Sequence, residues 1–354
     1  MRRAIRTVAV LAVVGLVATA CAGGGGGGTQ ASPTGGAPNT FTSAKIGMVY
    51  DLVGRGDKSF NDAAYAGMIK AQNELHIQFK DLTPDAQGTN REALMRLLAQ
   101  QGYPFIIGNG FLFADHVAKL MKEFPDVKFA VTDGFIADLT ESSNAVMMGF
   151  AEHEGSFLVG AAAALKSKSG HIGFIGGVDT DLIHKFDAGF RAGAAYIKPS
   201  IRIDVKYISA PPDFSGFNDP AKGKEIALSM YQDGADIVYH AAGGSGTGLF
   251  QAASEFSAQG SKVWGIGVDS DQYQTVPDFK DFILTSMLKK VDVAVFNTIK
   301  TFVNGVFKGG YLTYDLKVGG VDYSTSGGFI DDIKSQLDDL KQKIISGEIT
   351  VPSK

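Results

Sequence analysis

Residues 46–51, Ile46-Gly47-Met48-Val49-Tyr50-Asp51, are an apolar run of strand length that stops on a carboxylate. The pattern returns in Phe129-Ala130-Val131-Thr132-Asp133 and in Trp264-Gly265-Ile266-Gly267-Val268-Asp269. A fourth run, Ile237-Val238-Tyr239-His240, opens instead into Gly243-Gly244-Ser245-Gly246. Strands are expected at Lys45–Asp51, Pro104–Gly108, Lys128–Asp133, Ala145–Phe150, His171–Val178, Arg202–Ile208, Ala235–Ala241 and Lys262–Asp269, with amphipathic helical stretches between most of them. Leu94, Leu97 and Leu98 mark one helix face, opened by Thr89-Asn90-Arg91-Glu92, a capping-box pattern. Val291–Asn304 and Phe329–Ser346 read as helices by the same reasoning. Strands alternating with helices predict an α/β fold of parallel sheets covered on both faces, and the length accommodates two such sheets.

In open parallel sheets a ligand binds outside the carboxyl ends of the strands, so the residues that end these runs are the candidate site. Asp51, Asp133 and Asp269 are three carboxylates at three strand ends, able to converge on one cleft. A carboxylate only accepts hydrogen bonds and has room for two hydroxyl donors, which suits a polyhydroxylated ligand. The alternative for each aspartate taken singly is a cap on the helix that follows it.

Outward from these runs, the 354-residue chain carries a formal net charge of −4 and a single cysteine, Cys21. No basic stripe or aromatic-interleaved basic patch points to nucleic acid as a partner. Before Cys21 come Arg2, Arg3 and Arg6, the apolar run Val8–Val17 and the small residues Ala18-Thr19-Ala20. That order is a secretory signal, its apolar part too short for a comfortable membrane span. A cysteine directly after the small residues resembles a bacterial lipobox, in which the thiol is acylated; an ordinary signal peptide with an incidental cysteine is the alternative. One cysteine cannot make an internal disulfide, which favours the lipid. Residues 1–20 are thus expected to be a signal peptide and 21–44 a tether, rich in Gly, Ser, Thr and Pro. A flexible stretch of about 20 residues reaches roughly 25 Å, so the body would sit near a membrane on its extracytoplasmic side without entering it.

The motifs that follow Asp51 are more specific as an ordered set than singly. They are Gly56-Asp57-Lys58-Ser59-Phe60-Asn61, Val131-Thr132-Asp133-Gly134, Phe186-Asp187-Ala188-Gly189-Phe190, Gly243–Gly248, Gly267-Val268-Asp269-Ser270-Asp271 and Leu284-Thr285-Ser286-Met287-Leu288-Lys289. From about Lys45 to Gly320 the chain resembles the basic membrane protein family of substrate-binding lipoproteins, and within it the purine nucleoside receptor branch. The resemblance implies a type I periplasmic-binding-protein fold, with two doubly wound parallel-sheet lobes joined by three hinge crossings. Lobe one would take residues 45–149 and 270–304, and lobe two residues 150–269 and 305–354. Closure about the crossings would be a rigid-body motion.

The resemblance also implies roles. Phe60 and Phe186 would stack on the two faces of a purine, with Phe190, one turn from Phe186, the other candidate for the second face. A core position is the alternative for Phe60, since Ser59 reads as an N-cap with Asp62 three residues on. Asn61 would offer a donor and an acceptor to the edge of the base, or form a turn, and Asp133 would accept from a ring N–H or amine. Asp51 and Asp269 would be left for ribose hydroxyls or for positioning other groups, and Lys289 would offset the repulsion among the carboxylates and donate to a ribose oxygen. Gly243 and Gly244 would let backbone amides approach the sugar.

An enzyme is the rival class. Gly243–Gly248 follows a strand and precedes a helix, the setting of a phosphate cradle, yet no Gly-Lys-Ser/Thr follows and the spacing misses the dinucleotide fingerprint. Asp179, Asp181, Asp269 and Asp271 occur only as Asp-x-Asp pairs, and the histidines lack paired metal spacing. The same fold with a simple sugar or a flavin in the cleft is the third reading. The expectation is a non-enzymatic receptor, without cofactor or metal, that passes a purine nucleoside to an ABC permease.

Overall fold

The computed structural model describes residues 43–354; the expected signal peptide, Cys21 and the tether up to residue 42 lie outside the described residues. Alternation of apolar strands and helices continues through the whole of this stretch. The first half runs β1 (Lys45–Val49), α1 (Phe60–Leu75), β2 (Gln78–Leu82), α2 (Arg91–Gln100), β3 (Phe105–Asn109), α3 (Ala114–Glu123), β4 (Lys128–Thr132) and β5 (Ala145–Phe150). The chain then crosses to α4 (Glu152–Lys166), β6 (His171–Val178), α5 (Asp181–Ile197), β7 (Arg202–Ser209), α6 (Pro220–Gln232), β8 (Ile237–Ala241), α7 (Gly246–Ser257), β9 (Trp264–Asp269), α8 (Gln272–Thr275) and β10 (Ile283–Lys289). It returns through α9 (Val291–Val303) and β11 (Gly310–Tyr314), and crosses again to β12 (Val321–Tyr323) and α10 (Lys334–Ile345).

The strands form two six-stranded sheets, ordered β11-β5-β4-β3-β1-β2 and β12-β10-β9-β8-β6-β7. Every pairing is parallel except β10 with β12. The two orders correspond strand for strand, so each lobe reverses its winding at one place, between β1 and β3 and between β6 and β8. That reversal opens a crevice at the carboxyl ends of the strands, where ligands of doubly wound sheets bind. The central strands β3, β6 and β8 are buried along their whole length, which explains their unbroken apolar runs.

The lobe boundaries differ from the sequence expectation in two places. Residues 270–304 do not all return to the first lobe, because β10 hydrogen-bonds beside β9 from Ile283↔Gly265 to Leu288↔Asp269 and stays in the second sheet. Only α9 returns, packing against α1, where a Cβ on Gly67 would lie 2.6 Å from the Asp292 carbonyl oxygen. Conversely β11, expected in lobe two, pairs with β5 from Gly310↔Val146 to Tyr314↔Phe150 and extends the first sheet. The crossings therefore fall at Ala151, at Lys290 and between Tyr314 and Val321.

Two capping expectations also change. Thr89 and Glu92 do not form a capping box: Thr89 Oγ1 donates to Asp85, and Glu92 accepts from Arg96 and Lys119 and meets His116. At α1 the first amides are satisfied by Asp57, whose carboxylate accepts from the backbone N–H of Ser59, Asn61 and Asp62. Ser59 is left to reach the other lobe.

α4 and α5 lie against each other at backbone distance. A Cβ on Gly189 would fall 2.1 Å from the His153 carbonyl oxygen, and one on Gly193 would fall 1.9 Å from that of Phe157. This contact fixes α5, the helix that carries Phe186. Gly193→Ala must push the helices apart, and overpacking of this kind costs about 1–3 kcal/mol. Urea unfolding should show a loss of that size, whereas an unchanged midpoint would contradict the packing described.

Candidate functional site

The carboxyl ends of both sheets face one cavity, the setting in which doubly wound sheets bind small molecules. Asp51, Phe60, Asn61, Asp133, Phe186, Gly243, Gly244, Asp269 and Lys289 all border it. Each comes from the end of a strand or from the loop or helix that follows one, so the topology brings together residues more than 200 positions apart. Phe190 is not among them: it lies in the core, its ring 5.1 Å from Tyr239 and 6.2 Å from Phe174. Of the two candidates on that helix, Phe186 faces the cavity.

Lys289 is the electrostatic centre. Its side chain is almost fully buried, with Nζ 2.6 Å from Asp133 Oδ2 and 3.0 Å from Glu152 Oε1. Burial opposes the charge, but Asp133, Glu152 and Asp269 together outweigh it and hold the lysine above its usual range. The ammonium also lies 4.9, 5.3 and 5.5 Å from the ring centroids of Phe150, Phe60 and Phe186, within cation–π range of all three. Phe60 and Phe186, from opposite lobes, thus border the same space around one charge.

Burial disfavours the ionised forms of the two aspartates beside this ammonium. Burial pushes Asp133 up to about 6, opposed by Lys289 and reinforced by Glu152. Its Oδ2 is held by Lys289, while Oδ1 is buried with no protein partner. Asp269 is also raised, first by burial, and its Oδ2 accepts from Ser59 Oγ of the other lobe. Both aspartates sit at a strand end with φ of +62°, a left-handed backbone that non-glycine residues seldom adopt, so the two lobes repeat one strained turn at the cleft.

Asp51 and Asn61 are each partly committed to protein partners. Asp51 Oδ1 accepts from the Leu52 N–H at 2.8 Å and from Arg91 at 3.2 Å, a buried ion pair that anchors the carboxylate. Burial raises its pKa, with Arg91 pulling the other way. A Cβ on Gly110 would lie 2.7 Å from Asp51 Oδ2, so glycine keeps that oxygen clear. Asn61 was expected to offer both a donor and an acceptor. Its Oδ1 already accepts from the Asp51 N–H at 3.1 Å and from Asn109 at 3.0 Å, which leaves the amide N–H₂ for a ligand. Gly243 has φ of +53°, and no atom would approach a Cβ there closer than 3.3 Å, so this loop is constrained by conformation rather than by space.

The sequence reading missed Glu152, Asp57, Arg91, Phe111 and Phe217. Glu152 carries no local signal, being one carboxylate at the entry of an alanine-rich helix; only the crossing at Ala151 delivers it to Lys289. Asp57 lay inside a quoted motif, and three residues of spacing to the helix start were the available clue. Phe111 and Phe217 border the cavity from the two lobes, and Phe111 meets Phe214 of the second lobe edge-on at 6.0 Å. The two Asp-x-Asp pairs are engaged separately: Asp179 with His184 at 2.6 Å, and Asp271 with Ser324 and Ser326.

A family profile described as ABC transporter substrate-binding protein PnrA-like matches residues 44–354. An ABC transporter nucleoside-binding protein, BmpA, of Lactococcus lactis is 37% identical over 331 residues, covering 88% of this chain and 90% of its own. An uncharacterised lipoprotein of Pyrococcus abyssi is 33% identical over 297 residues, covering 82% and 72%. Among solved structures, an ABC transporter solute-binding protein of Aeropyrum pernix superposes with a TM-score of 0.77 at 28% identity, covering 88% of this chain and 94% of that one. The two-lobed arrangement is the type I periplasmic-binding-protein fold. With the family profile matching residues 44–354 and the Lactococcus lactis relative aligned over 90% of its length, the protein belongs to the PnrA-like, or basic membrane protein, family of ABC transporter substrate-binding proteins.

Proposed function

We propose that this protein is a lipid-anchored, non-catalytic receptor that captures a purine nucleoside in its interlobe cleft, on the extracytoplasmic side of a membrane, and hands it to an ABC permease. The observation that carries the reading is the pair of rings, Phe60 and Phe186, bordering one cavity from opposite lobes. A flat base between them gains about 1–3 kcal/mol of stacking per face. Around the rings stand the polar groups a nucleoside needs. Asp133 Oδ1 is an uncommitted acceptor for a ring N–H, and the Asn61 amide is a donor to the base edge. Asp51 and Asp269 accept from ribose hydroxyls, and Lys289 donates. The name of the Lactococcus lactis relative, a nucleoside-binding protein, supports the same ligand class. The lipid on Cys21 rests on the sequence order around it and on the Pyrococcus abyssi relative's name. No helix among the described residues is long and apolar enough to cross a membrane.

Isothermal calorimetry against inosine, guanosine, adenosine, uridine, riboflavin, glucose and ribose tests the ligand. Purine nucleosides should bind best, and Phe60→Ala should weaken them by about 5- to 150-fold, the equivalent of one stacked face. Binding of glucose or riboflavin in their place would reassign the cleft, and steady release of free base from inosine would make the protein an enzyme.

Asp133 gives the reading a pH signature. An N–H donor requires the ionised carboxylate, so affinity for inosine or guanosine is full above about pH 6 and falls as pH drops through that value. The ligand-free fold responds in the opposite sense: an acid raised from about 3.9 contributes stability at low pH that is lost as pH rises to about 6. Calorimetric titrations between pH 5 and 8 should show the loss in the wild type and a flat, weakened profile in Asp133→Asn; identical profiles would remove Asp133 from the base. Cys21→Ala should move the protein from the membrane fraction to the supernatant with unchanged nucleoside affinity, and retention in the membrane would refute the anchor.

A further inference from the structure

The two lobes are joined outside the cavity as well as inside it. Lys58 and Ser59, in the loop between β1 and α1, meet residues 269–275 of the second lobe through four hydrogen bonds. Ser59 Oγ donates to Asp269, and Ser270 Oγ donates to the Ser59 carbonyl at 3.0 Å. The Lys58 carbonyl accepts twice, from Gln272 Nε2 at 3.2 Å and from Thr275 Oγ1 at 3.1 Å. Lys58 has φ of +57°, a left-handed turn held by Asp62, which accepts from the Lys58 N–H.

Gln272 is wholly buried and its amide cannot turn over. Its Oε1 accepts from the Val268 N–H at 2.9 Å and lies 2.8 Å from His240 Nε2, and its own N–H donates to Ser286 Oγ at 3.1 Å. Burial lowers His240 to about 4, so the ring is neutral and its Nε2–H faces the Gln272 oxygen. With the oxygen fixed on the second-lobe side, the amide N–H₂ has one direction left, toward Lys58. Gln272 does not border the cavity, and nothing in the proposed ligand site uses it.

We infer that Gln272, with Ser270 and Thr275, is a positioning residue for solute capture: a polar latch that grips the Lys58–Ser59 backbone and holds the lobes closed even without ligand. Because the latched segment leads directly into Phe60 and Asn61, latching also sets the first-lobe half of the cavity before a solute enters. Its energetic consequence is a closed population that lowers the cost of binding and slows release.

The test uses Ser270→Ala with Thr275→Val, which removes two latch donors without touching the cavity or the buried Gln272–His240 pair, and Gln272→Leu as the stronger variant. Small-angle X-ray scattering of ligand-free protein should match the latched structure for wild type and give a larger radius of gyration for the double variant. With inosine as the probe, stopped-flow release should quicken by about 5- to 30-fold, the effect of losing two hydrogen bonds of ordinary strength, with association unchanged. The kinetic arm rests on the nucleoside reading and the scattering arm does not, so failure of inosine to bind leaves the latch to be judged by scattering alone. Identical ligand-free scattering for wild type and a double variant that melts like wild type would overturn the latch, as would an unchanged release rate.

Discussion

One buried ammonium organises this cleft. Lys289 ends β10 at the second hinge crossing, Glu152 opens α4 just after the first, and Asp133 follows β4 in the first lobe, so their ion cluster joins the two lobes beside two of the crossings. Taking such charges out of water costs several kcal/mol each, and only their mutual proximity offsets it. The cluster extends to Lys185 on α5, 3.4 Å from Glu152 Oε2 and adjacent to Phe186. The charge network therefore runs from the acceptor on one side of the cavity to the helix bearing the aromatic ring on the other. Excess carboxylate is the notable property: Asp133 remains poised near neutrality with an oxygen unspent, which is how a rigid site holds an acceptor ready for a donor.

Around that centre the two lobes are chemically matched. Equivalent strand orders put equivalent loops at the cleft, and Asp133 and Asp269 share one left-handed turn at the ends of β4 and β9. A strained backbone at both positions aims two carboxylates inward from opposite sides, a geometry that tight packing behind each turn must maintain. The rings of Phe60 and Phe186 are carried on α1 and α5, and α5 is fixed by its contact with α4 at glycine.

How much of this was legible in the chain follows from where each signal resides. Strands buried on both faces announce themselves as apolar runs, and their ends pointed to Asp51, Asp133 and Asp269. β2, Gln78-Phe79-Lys80-Asp81-Leu82, is a partly exposed edge strand whose charged residues hide it, and β11 is exposed at the opposite edge of the same sheet. The lobe assignment of β10 was missed because parallel pairing is a nonlocal choice that its own residues, Ile283 to Lys289, do not encode. Capping failed for a related reason. Ser59 has the right side chain for a cap, but a carboxylate 210 residues away competes for its hydroxyl, and Asp57 takes the helix amides instead. Glu152 shows the limit most clearly, since its role depends wholly on a lysine brought in by another crossing.

Lys289 is the cation that makes the carboxylate cluster tolerable, and the direct measurement of this is the unfolding free energy of Lys289→Met against wild type as a function of pH. Removing one partner of a buried ion cluster costs about 3–5 kcal/mol, so the variant should be destabilised by that amount at pH 7.5. The difference should shrink toward pH 5 as Asp133 takes up a proton. A Lys289→Met protein as stable as wild type at pH 7.5 would contradict it.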